Sequence, residues 1–126
     1  YSPVQASSRI YSSQDIERWH INEMKSLLSR FSGVKFIFDN VKQKYYPVLR
    51  DAITSFRSKN EGKPLVVIDD TPFIDFDILD YPVNDIEEIF LLKGSDAAIW
   101  GPKASNGIIV IITQRGKSTK IEQKEE

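Results

Sequence analysis

Four groups of residues in this chain could carry chemistry, and the spacing within each decides what it can do. The sole histidine, His20, could act as a base or a metal ligand. There is no cysteine to share a metal with it or to act as a thiol nucleophile, and structural zinc sites draw on Cys and His together. No Ser-His-Asp order rises above chance, so His20 reads as a helix-surface residue beside Trp19. The cluster Asp69, Asp70, Asp75, Asp77 and Asp80 could gather a hard cation such as calcium. An EF-hand loop needs a central glycine and a closing glutamate, and neither stands at the required place. The plainer reading is a solvated acidic loop with Phe73, Ile74, Phe76 and Ile78 turned inward. Gly94, Gly101 and Gly107 could cradle a phosphate, but they match neither the dinucleotide nor the P-loop spacing, and no Lys-Ser/Thr pair follows them. They read as tight turns. Trp19, Tyr45, Tyr46 and Trp100 could line a partner surface, although core packing is the commoner fate of such rings. The expectation is therefore no catalytic residue, no cofactor and no metal.

Elements must hold these residues in place. Arg9–Ser12 suits a short strand. Ser12 precedes Asp15 by three residues, near the spacing of a capping box. Behind it Ile16, Trp19, Ile21, Met24, Leu27, Leu28 and Phe31 recur at nearly helical intervals, which predicts one amphipathic helix over Ser13–Arg30. Gly33 lies just past its end, where a left-handed cap is wanted. Val34–Phe38 reads as a strand, Asp39-Asn40 as a turn, and Tyr45 to Leu49 as a strand broken by Pro47. The apolar run Leu65–Ile68 predicts a buried strand. Asn84 or Asp85 can cap a turn at Ile86, and Glu87–Lys93 fits a strand or a helix-to-strand passage. Ser95–Ile99 fits a helical turn, and Asn106-Gly107 a tight turn into the apolar strand Gly107–Thr113.

The fold class is α+β: a small mixed sheet carrying one long helix and short helical turns. Residues 1–8 form a loose N-terminal segment, 9–117 the domain, and 118–126 a charged, disordered tail. The core should hold Ile16, Leu27, Leu28, Val34, Val66, Ile68, Ile89, Leu91, Ile109 and Ile111. Over the 126 residues the net charge is −1, which argues against nucleic acid. Every apolar run is too short to span a bilayer as a helix, so no direct membrane insertion is expected. No basic leader precedes an apolar stretch at the start, and the chain reads as an excised or processed piece. The charged residues Lys120 to Glu126 could be a natural end.

Several of these pieces share an order. Pro64 through Asp69, with Pro72 after it, is followed by Asn84-Asp85-Ile86-Glu87-Glu88-Ile89 and Leu92-Lys93-Gly94. Ala97 through Gly101 comes next, then Asn106-Gly107-Ile108-Ile109, and Thr113-Gln114-Arg115-Gly116 closes the series. Upstream, Ser13 through Glu17, Leu27-Leu28, Gly33-Val34, and Leu49-Arg50-Asp51 with Ser55 match more loosely. Over about residues 9–117 this resembles the plug domain of TonB-dependent outer-membrane receptors, especially the nutrient receptors of Bacteroidetes. The motif positions are Gly33, Arg50, Asp69, Pro72, Lys93, Gly94, Gly101, Asn106, Gly107, Arg115 and Gly116. Asp51 and Asp70 stand where the pattern has glycine, and Ser32 where it has proline.

The resemblance implies a non-catalytic domain of the cell envelope, in the outer membrane or on its periplasmic side. It implies an outer-membrane β-barrel as partner, in cis or from a missing part of the chain. The plug would occlude or gate that barrel and contact substrate or partner. An energy-coupling envelope protein would pull on an N-terminal box, though none stands out in Tyr1–Ser8. A barrel of about 22 strands, at roughly 10 residues each, needs more residues than this chain has. The alternative is a free-standing envelope module that binds a protein or ligand through the same fold.

Overall fold

A computed structural model describes residues 9–49 and 62–114. Tyr11–Ser12 forms strand β1, and Ser12 doubles as the N-cap of helix α1, Ser13–Arg18. The Asp15 N–H donates to the Ser12 hydroxyl at 3.3 Å, while the Ser12 N–H donates to the Asp15 carboxylate at 2.9 Å. This reciprocal box satisfies two donors that the first turn leaves open. The Ser12 N–H and, secondarily, the Arg18 guanidinium hold the Asp15 carboxyl below the usual carboxylate range, against partial burial.

The single long helix expected over Ser13–Arg30 is two short ones. Past Arg18, His20 takes a left-handed φ of 54°. The Ile21 N–H donates to the Ile16 carbonyl at 3.0 Å, and the His20 N–H to that of Glu17 at 3.1 Å. That pair of bonds is a Schellman motif, which ends a helix. Helix α2, Met24–Leu28, then starts afresh. Both helices bury their apolar sides in one core, so the periodicity survives the break: Ile16, Met24, Leu27, Leu28 and Phe31 are all buried. Gly33, at φ 84°, does not cap a helix. Ser29 caps α2, and Gly33 instead shapes the turn into the next strand.

Strands β2, Val34–Asp39, and β3, Lys44–Leu49, pair antiparallel as a separate two-stranded ribbon. Pro47 does not break β3. It pairs with Phe36 in this ribbon, where a strand has a free side that needs no donor. The remaining strands are β4, Leu65–Ile68; β5, Thr71–Phe73; β6, Ile86–Leu92; and β7, Ile108–Thr113. With β1 they form one sheet in the order β1-β6-β7-β4-β5. β7 runs antiparallel to β6 and parallel to β4, so the sheet is mixed, as expected. Helix α3, Ser95–Ala98, follows β6.

Both faces of the sheet are covered, which explains the unbroken apolar runs of β4, β6 and β7. One face, with Val66, Ile89, Leu91, Ile109 and Ile111, packs on α1 and α2. The other, with Leu65, Val67, Phe90, Leu92 and Ile108, packs on Ala97, Ala104 and the half-buried Trp100. Eight of the ten expected core residues are buried; Val34 and Ile68 are half-buried at the margin of the first cluster.

Candidate functional site

Three motif residues of the second half, Asp69, Asn106 and Gly107, stand at the two ends of the parallel pair β4–β7 and pin it. At the first end, the Asn106 side-chain amide donates to the Lys63 carbonyl at 3.3 Å. There the Leu65 N–H donates to the Gly107 carbonyl at 3.0 Å. Gly107 holds φ 89°, a conformation that a β-carbon disfavours. At the far end, the Asp69 N–H donates to the Ile111 carbonyl at 3.0 Å. The Asp69 carboxylate accepts from the Thr113 N–H at 2.9 Å and from the Thr113 hydroxyl.

Asp69 and Asp70 are also the two residues between β4 and β5, at φ 48° and 69°. Positive φ at both central positions is what a type I′ turn requires, and such a turn ordinarily takes Asn-Gly. The pair is thus a strained hairpin turn. Pro72 sits on β5 opposite Val67, at the edge of the sheet, where its missing N–H does no harm. Lys93 ends the run into Gly94, and Gly94 (φ 55°) and Gly101 (φ 83°) bracket α3. A β-carbon at either glycine would meet nothing within 4 Å, so backbone conformation, and not crowding, selects glycine there. Arg50, Arg115 and Gly116, like Asp51, Ser55 and both terminal segments, lie outside the described residues.

The acidic loop is not merely solvated. Three lysines reach it from elsewhere in the chain. Lys63 donates to Asp39 at 2.9 Å and to Asp75 at 2.8 Å. Lys42 meets Asp75 at 3.1 Å and Asp77 at 3.2 Å, and Lys44 meets Asp80 at 2.6 Å. The Lys63 hydrogen bond draws the Asp39 and Asp75 carboxyls below the usual carboxylate range. Partial burial works against the Lys63 ammonium, but Asp75 and Asp39 more than reverse it and raise its pKa above the usual lysine value. Asp75 and Asp77 hold Lys42 above that value, and Asp80 does the same for Lys44. Of the five carboxylates considered for a cation, Asp75, Asp77 and Asp80 face ammonium groups and Asp69 accepts from Thr113, and no cluster suited to a metal occurs among the described residues. Of the four residues expected to turn inward, Ile78 is buried and Phe76 half-buried, whereas Phe73 and Ile74 are exposed.

His20 is exposed at the end of α1. Trp19 packs edge-on against Tyr11, with the Arg30 guanidinium 3.8 Å from its ring centroid, as a structural residue would. Sequence reasoning missed the three lysines. The signal was an acidic run with no visible counter-charge, which in a folded chain calls for cations from a distance.

The frame is a mixed sheet with two short helices on one face, glycine-hinged turns and a side hairpin. The chain belongs to the TonB-dependent receptor plug domain family, whose family model matches residues 2–108. Its fold is similar to part of the siderophore receptor PirA from Acinetobacter baumannii, with a TM-score of 0.66 at 20% identity over 89% of this chain. It also resembles part of a mutant ferric enterobactin receptor, PfeA, from Pseudomonas aeruginosa in complex with enterobactin, with a TM-score of 0.64 at 19% identity over 86% of this chain. PirA from Pseudomonas aeruginosa gives 0.54 at 23% identity over 88%. The chain spans only 18% or 19% of the length of these receptors. Family membership assigns the domain to the outer membrane, on its periplasmic side.

Proposed function

We propose that this chain is the plug of an outer-membrane transporter, filling the lumen of a β-barrel and gating passage through it without chemistry of its own. The observation that carries this is the family match across residues 2–108, within which Asp69, Asn106 and Gly107 hold the ends of the β4–β7 pair. A domain that must block a pore needs a frame that keeps its shape, and doubly covered strands with fixed ends supply one. The barrel is supplied in cis by further sequence or in trans by another chain. An energy-coupling envelope protein that acts on the N-terminal segment moves the plug. Because the neighbours with this fold are siderophore receptors, a ferric siderophore is the first ligand to try.

The test is fractionation of the native cell with an epitope tag inserted in the gene that encodes residues 9–117. The tagged protein should be found in the outer membrane and, in mild detergent, run with a β-barrel. Recovery as a free periplasmic protein would favour the alternative of a stand-alone binding module.

A further inference from the structure

The geometry points to the turn end of the β2–β3 hairpin as an ionically latched flap, able to open while the five-stranded sheet stays folded. This deepens the plug reading and rests on it only for what an opened flap would do inside a barrel. The two ends of the hairpin are held by different forces. At the open end Leu49 and Val48 are buried, and Val34 and Phe36 pack on the main core. At the turn end Ile37, Phe38 and Tyr45 are exposed, and Val41 is 92% exposed. Opening that end therefore uncovers little apolar surface.

Charge holds the turn end. The Asp39 carboxylate shapes the turn by accepting from the Val41 N–H at 2.9 Å and the Lys42 N–H at 3.2 Å, and it binds Lys63 across the gap. Lys42 and Lys44 project from the hairpin onto Asp75, Asp77 and Asp80. From α2, the Lys25 ammonium lies 4.8 Å from the Tyr45 ring centroid. The latch also closes over strained backbone. Gln43 on the flap and Asp75 on the facing loop hold left-handed φ values of 58° and 57°, and such strain persists only while surrounding contacts enforce it. The exposed contacts of Lys42 and Lys44 weaken as salt screens them, while the mostly buried Lys63–Asp39 pair is screened much less and buried apolar contacts hardly at all. The flap is thus the described element that a change in nearby charge can release. In a barrel, carboxylates or cations lining the lumen would compete for the same lysines and aspartates.

Amide hydrogen exchange in this chain, resolved by residue with NMR, tests the latch. Between about 0.1 M and about 1 M sodium chloride the screening length falls from about 10 Å to about 3 Å. Over that range exchange at residues 37–46 should quicken roughly fivefold while β6 and β7 hold steady. Lys63→Met, which leaves the mostly buried Asp39 carboxylate unpaired, should quicken the same amides roughly tenfold or more at low salt. If that variant does not fold, Lys42→Gln, at a more exposed position, should reproduce the pattern to a smaller degree. Equal salt responses of the hairpin tip and β6–β7, or tip exchange indifferent to both salt and Lys42→Gln, would overturn the latch. Either result leaves the plug assignment standing, because the exchange experiment contains no barrel.

Discussion

The β4–β7 pair and the β2–β3 hairpin solve the same problem in opposite ways. Each is a pair of strands that must stay registered. β4 and β7 are buried on both faces and fastened at both ends by motif residues. The hairpin is buried at one end, and lysine–aspartate contacts fasten the other. Burial makes the first pair indifferent to its ionic surroundings. Reliance on charge makes the hairpin tip responsive to them. A domain that both blocks and yields benefits from having both kinds of element in one chain.

The contrast breaks most visibly under truncation. Ile109→Ala, at a fully buried position in β7, should cost about 3 kcal/mol in a denaturant melt. Ile37→Ala, exposed on the hairpin, should cost less than about 0.5 kcal/mol. Comparable losses would erase the distinction between frame and flap. Next come the turns that fasten the frame. Gly107→Val and Gly101→Ala should each cost about 1–3 kcal/mol through backbone strain, and Gly107→Ala somewhat less than Gly107→Val. Because the space around Gly101 is open, a full loss there isolates the conformational effect from crowding. A Gly101→Ala melt that matches the parent would show that the turn tolerates a side chain.

Asp70→Gly has the opposite sign. Glycine relieves the second left-handed position of the I′ turn, and a gain of up to about 1 kcal/mol is expected, offset in part by the freer unfolded chain. A net loss would mean that Asp70 makes a contact worth more than the strain.

The smallest effect is a pH response confined to the flap. Asp39 and Asp75 have lowered pKa values in the folded chain, so their stabilising contribution is complete above the ordinary value of 3.8 and is lost as pH falls through the folded values below it. The raised lysines behave in reverse: their contribution is complete below 10.5 and is lost as pH rises past the folded values. Chemical shifts of residues 37–46 should therefore stay flat between those limits and move before those of β6 and β7 on the acid side. Tip and sheet moving together would deny the flap its independence.

The frame was legible in the sequence because its signals are local. Unbroken apolar runs marked strands covered on both faces, and Asn106-Gly107 marked the turn into β7. Asp69, Asn106 and Gly107 stood among eleven motif positions, and nothing in the sequence marked them as the ends of one parallel pair, a fact of topology. The helix break was hidden. The apolar period runs straight through His20, and the interruption is a backbone conformation whose only trace is a stretch of middling helix formers, His20, Ile21 and Asn22. The latch was hidden for a different reason. Its partners are 24 residues apart for Lys63 and Asp39, and 36 for Lys44 and Asp80. Charge complementarity across such distances leaves no periodic pattern.

The most direct test of the plug assignment is electrical. The complete barrel-bearing protein, or the chain together with its separate barrel, is placed in a planar lipid bilayer with and without residues 9–117. With the domain present, the conductance should stay near the baseline of the bare membrane. Without it, large stepwise openings should follow, as expected of a wide barrel whose lumen has lost its plug. Equal conductance in the two preparations would contradict the account.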